Sequence, residues 1–127
     1  MTLLTTPIQT SNTEVKTVGS ENPYGEPFKI RCTQYTDYGV TKSGQMVREG
    51  IAASDYYYGK TILAYEVDED GKVGDFIGFY EVLDTGSHRG LKDGSRIDIY
   101  VPTDSDVEQW QKEYGDYIYI QVVDGKG

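Results

Sequence analysis

The stretch KTILAYEVDEDGKVGDFIGFYEVLDTG, residues 60–86, is where the fold becomes readable. Apolar and polar residues alternate from Lys60 to Val67 and again from Asp75 to Leu83, the period of strands with one buried face. Between them lies Asp68-Glu69-Asp70-Gly71-Lys72, whose Asp-Gly pair suits the positive φ of a hairpin turn. Upstream, Phe28-Lys29-Ile30-Arg31-Cys32-Thr33 alternates in the same way, and Arg96–Val101 and Tyr117–Val123 add further strands downstream. One helix is signalled late in the chain. Ser105 to Glu108 reads as a capping box, Val107, Trp110 and Gln111 or Tyr114 share a face, and Gly115 stops it. Short strands, many glycines and a single late helix predict a mainly β fold, a small barrel.

The 127 residues suit one domain. A domain of this size buries roughly two-thirds of its unfolded surface, so neither disulfide nor metal is required for folding. Residues 1–26, rich in Thr, Ser, Asn, Pro and Glu, bury too little apolar surface to offset their ordering entropy and read as a linker or disordered tail. Residues 27–127 form the domain. With 21 acidic residues against 12 Lys plus Arg, the net charge of −9 argues against nucleic acid and against an anionic membrane surface. No apolar run reaches the roughly 18 residues of a spanning helix. Met1 to Thr10 lacks the basic and apolar regions of a leader, which fits either a cytosolic protein or a mature form from which a leader was removed. The lone Cys32, in an alternating segment, reads as a core residue. Tyrosine is abundant, with 12 copies, which fits either a strand-rich surface or a sugar-stacking one.

Most acidic residues fall in turns or on the helix and read as solvated charge. Three stand apart. Asp55 follows Ala52-Ala53-Ser54, Asp84 ends the run Tyr80-Glu81-Val82-Leu83, and Asp98 lies between Ile97 and Ile99. If those two isoleucines face the core, Asp98 points the other way, beside Arg96 and Tyr100. Aspartate is depleted in strand centres, so a mid-strand carboxylate calls for a reason. Carboxylates that converge repel, and one of them can then hold a proton for general acid catalysis.

Val82-Leu83-Asp84-Thr85-Gly86-Ser87 also resembles the active-site loop of aspartic proteases, which at this length demands a homodimer. The apolar-apolar-Gly segment those enzymes carry downstream is missing. His88, the single histidine, has no second ligand at zinc spacing. Asp68, Asp70 and Gly71 resemble the start of a calcium loop, but no acidic residue closes it, and the hairpin turn accounts for them. No metal and no cofactor is expected.

Read in order, Tyr35-Thr36, Thr41, Ser43-Gly44, Gly50 to Asp55, Gly59-Lys60, Val82 to Gly86 and Arg96 to Tyr100, followed by the helix and last strand, are more specific than any fragment alone. Together they resemble the three-aspartate domain family, similar to the catalytic domain of the membrane-bound lytic transglycosylase A type and to the Sps proteins of spore-forming Gram-positive bacteria. The likeness covers about residues 30–123. It implies a six-stranded double-psi β-barrel in an extracellular or cell-wall protein, acting on peptidoglycan glycan strands. The reaction implied is cleavage of the β-1,4 bond between N-acetylmuramic acid and N-acetylglucosamine, leaving a 1,6-anhydromuramyl end.

By the same likeness, Asp98 is the acid/base, Asp84 sits beside it and helps it keep its proton, and Asp55 completes the groove. Tyr35, Thr36, Ser43, Gly86, Arg96 and Tyr100 become substrate-binding candidates. The chain departs from the family at Tyr57-Tyr58-Gly59-Lys60-Thr61, which lacks a proline, and by an apparent extra residue between Lys92 and Asp98. Tyr56, Tyr57 and Tyr58 either replace apolar groups or line the groove as stacking platforms. Two other functions compete with the glycan-cleaving enzyme: a non-catalytic wall-binding module, and the dimeric protease built on Asp84.

Overall fold

The computed structural model describes residues 25–123. The linker or tail expected over residues 1–26 falls almost wholly outside the described residues. Six strands form the body: β1 (Phe28–Tyr35), β2 (Ile51–Ala53), β3 (Thr61–Val67), β4 (Val73–Asp84), β5 (Arg96–Tyr100) and β6 (Tyr117–Val123). Two helices accompany them, α1 (Arg89–Asp93) and α2 (Asp104–Tyr114). The strands close into a ring in the order β1-β5-β2-β4-β3-β6, with β6 returning to β1. The neighbours β1·β5 and β2·β4 run parallel and the rest antiparallel.

The inward positions recur every second residue. Ile30 and Cys32 on β1, Ile62 and Ala64 on β3, Ile97 and Ile99 on β5, and Ile118 and Ile120 on β6 are all buried and form one core cluster with Val82. The β-branched side chains suit both the pleat and the narrow interior. Cys32 is fully buried, and burial pushes its thiol up to about 12. Trp110 of α2 joins the same cluster from one end of the barrel, with Val107 and Tyr114 packed against it.

The predicted β3–β4 hairpin forms. Asp68 Oδ1 accepts the N–H groups of Asp70 and Lys72, each at 2.9 Å, and Gly71 takes φ 80°. Three details differ from the expectation. The helix starts earlier: Thr103, not Ser105, is its N-cap, and Asp106 returns the reciprocal bond of the capping box. The described residues form two helices where one was expected, because α1 has only 5 residues and is too short to show a period. It is fixed by its ends, with His88 Nδ1 accepting the Gly90 N–H at 2.9 Å and Gly94 in the left-handed conformation. Finally, β2 is a strand of three residues, all buried, so it shows no alternation.

Candidate functional site

One row of backbone register builds the site. Thr33 on β1 pairs with Asp98 on β5, Asp98 pairs with Ala53 on β2, and Ala53 pairs with Asp84 on β4. Ile97 and Ile99 turn inward, so strand alternation sends Asp98 to the outer side. The two aspartates therefore flank Ala53, with their backbones roughly 10 Å apart at ordinary strand spacing. Alanine is the smallest residue with a side chain, and it leaves the space between the carboxyls open. Asp84, Asp98 and Ala53 all line one cleft of about 290 Å³, together with Tyr35, Gly86 and Arg96.

Each carboxyl has its own partners. The Asp98 side chain is 13% exposed, and its Oδ1 accepts from the Thr33 hydroxyl and from Arg96 Nε at 3.0 Å. Arg96 Nε also donates to Thr33 Oγ1 at 2.8 Å, closing a three-membered cluster. Oδ2 accepts no hydrogen bond among the described residues. Asp84 is held differently. Its Oδ1 accepts the backbone N–H of Thr85 and of Lys42, both at 3.0 Å, and its Oδ2 accepts the Tyr35 hydroxyl at 3.2 Å. Burial, then the charge of Asp84, drives the Tyr35 ionisation upward, so Tyr35 stays a donor.

Asp55 sits at the rim. Its Oδ1 accepts the Gly86 N–H at 3.1 Å and its Oδ2 pairs with Lys92 Nζ at 2.9 Å. Lys92 first, and the Gly86 N–H second, lower its pKa from the usual 3.8. Asp55 thus links the exit of β2 to the loop after β4 and to α1. It does not line the Asp98 cleft, and neither carboxyl oxygen of Asp84 bonds to Asp98.

Among the substrate-binding candidates, Tyr35, Gly86 and Arg96 line the cleft and Thr36, Ser43 and Tyr100 do not. The Ser43 hydroxyl bonds Thr41 Oγ1 at 2.8 Å, and its N–H reaches Leu83 O at 3.0 Å, which pins the loop that brings Lys42 N to Asp84. Tyr100 is buried and packs edge-on against Tyr35, with centroids 5.7 Å apart. Thr36 is half-buried just beyond β1.

The three consecutive tyrosines divide. Tyr57 packs against the core and stacks near Phe28, taking an apolar residue's place. Tyr56 and Tyr58 are exposed, the Tyr56 ring lying against Gly94, and none of the three lines the cleft. Sequence reasoning overlooked Thr33, Lys92 and His88. Thr33 meets Asp98 through a parallel pairing between positions 65 apart, which leaves no local signal. His88 lines the cleft as a helix cap.

The described residues include no group of His, Cys, Asp and Glu arranged to hold a metal ion. Within them no helix is long and apolar enough to cross a membrane.

No family model matches the chain, and no curated protein does. Among solved structures, the Streptomyces papain inhibitor (SPI) is similar, with a TM-score of 0.55 and 16% identity over 80% of this chain and 97% of that one. At that identity the likeness is one of fold alone, between two β proteins.

Proposed function

We propose that this domain cleaves peptidoglycan glycan strands as a lytic transglycosylase, with Asp98 as the acid and base. The observation that carries the reading is that Asp98, whose Oδ2 accepts no hydrogen bond among the described residues, lines a cleft that a second carboxyl, Asp84, also lines. Thr33 and Arg96 both donate to Oδ1, so a proton carried by Asp98 resides on Oδ2. That proton passes to the glycosidic oxygen as the C1–O bond breaks. The sugar's C6 hydroxyl then bonds to C1, and its proton goes to the carboxylate. The products are a glycan with a free 4-hydroxyl and a 1,6-anhydro ring, with no water consumed.

Asp84, anchored by three donors, contributes fixed negative charge near the positive charge that develops at C1. One carboxyl serving both transfers separates this chemistry from hydrolases that divide the work between two.

The fold does not decide among functions, since a barrel of similar shape serves an inhibitor. A pair of variants does. Asp98→Asn is expected to abolish cleavage of purified peptidoglycan, with circular dichroism unchanged, while Asp84→Asn lowers it in part. Full activity in Asp98→Asn with none in Asp84→Asn would instead favour the protease built on Asp84. Binding to sacculi without turnover in the parent protein would favour the wall-binding module.

A further inference from the structure

Strand alternation sends a set of aromatic and apolar side chains to the outside of the barrel. Ile62 and Ala64 on β3 and Ile118 and Ile120 on β6 face inward, so Leu63, Tyr65, Tyr119 and Gln121 face outward. On β4, Phe79 stands opposite Leu63 and Phe76 opposite Tyr65. Phe76 meets Tyr65 and Phe79 edge-on, each at 5.6 Å between centroids, and the two phenylalanines are 50% and 66% exposed. Leu63 also pairs with Gln121 on β6, which completes a row across three strands. Gln121 differs from its neighbours. It faces outward yet is only 9% exposed, and its side-chain amide donates to Gly25 O at 2.8 Å. The chain entering β1 therefore lies against the outer side of β6, at one end of this row.

An exposed aromatic face of this kind marks a docking surface. Two occupants compete for it, a second copy of the chain and the residues just upstream of Gly25. Each copy carries a formal charge of −9, which opposes self-association, whereas residues 1–24 hold only Glu14, Lys16 and Glu21 as charged side chains. The same stretch includes Val15, Val18 and Tyr24. Phe79 lies two strand spacings from Gln121, about 10 Å, a distance that roughly three or four extended residues cover. Residues 18–24 are long enough to cross it. A tether this short holds its segment at an effective concentration on the order of millimolar, far above that of a second copy in dilute solution. We propose that residues 15–24 pack on the outer face of β3 and β4, with Tyr24 over Leu63 and the two valines over Phe76 and Phe79. Alone this segment buries too little apolar surface to become ordered, and the face supplies what it lacks. The inference does not rest on the glycan reading.

Full-length variants test this. Val15→Ser, Val18→Ser and Tyr24→Ser together remove the apolar groups of the segment, and Phe79→Ser removes their main contact on the face. Each variant is expected to lower the melting temperature by about 4 °C. Their combination is expected to lower it no further than the larger single effect, because both remove the same contact. The apolar-surface dye anilinonaphthalene sulfonate is expected to stay dark with the parent and to brighten severalfold with the segment variant, whose face is bared. Unchanged melting temperature and dye signal in the segment variant, or additive losses in the combination, overturns the proposal. A parent melting temperature that rises with protein concentration assigns the face to a second copy and overturns it as well.

Discussion

Thr33 decides how Asp98 is presented. Its hydroxyl and Arg96 Nε share Oδ1, which leaves Oδ2 as the carboxyl oxygen without a hydrogen bond among the described residues. Thr33→Val keeps the shape and removes the donor. We predict a fall in kcat of about tenfold, equivalent to ~1.4 kcal/mol in the barrier, with little change in melting temperature. Thr33→Ser restores the hydroxyl and is expected to recover most of the rate, which a packing defect would not allow. Asp98 itself was legible from its sequence neighbours, because Ile97 and Ile99 dictate its direction by strand alternation. Thr33 was not, since its partnership depends on the parallel register of β1 with β5. Asp84 and Asp98 share a cleft but not a hydrogen bond, a distinction that spacing along the chain does not carry.

Among the elements, α1 and α2 are specified by their ends more than by their faces. In α2 the Thr103 side chain accepts from Asp106 N, and Asp106 Oδ2 accepts from Thr103 N at 3.2 Å. Thr103→Ala is predicted to cost about 1 kcal/mol, read from denaturant unfolding at constant slope. The capping motif was visible in the sequence but two residues out of register, because Ser105 and Glu108 offer the same pattern as Thr103 and Asp106. The short α1 is tied to the β2 exit by Lys92 and Asp55. The folded pKa of Asp55 lies below its usual 3.8, chiefly through Lys92. Its contribution to stability is therefore present above about pH 4 and is lost as pH falls through the lowered folded value. Asp55→Asn is predicted to be less stable than the parent near neutrality, and the two unfolding curves are predicted to converge in acid. A constant gap between them at every pH would contradict the pairing.

For the whole molecule, closure of the ring is what brings distant residues into one cleft. Strands β1, β5, β2 and β4 contribute Thr33, Asp98, Ala53 and Asp84 to a single row, although the chain visits them in another order. Alternation made most strands legible, and the three residues of β2 escaped it because a strand buried on both faces has no polar period. The reaction we propose for this row is cleavage of a glycan bond by internal attack instead of by water. The most direct measurement is mass spectrometry of the fragments released from purified sacculi by the protein and by Asp98→Asn. Muramyl ends lighter by one water, released by the protein and missing with the variant, are the predicted result. Reducing muramyl ends from the protein, or anhydro ends released equally by the variant, would contradict it.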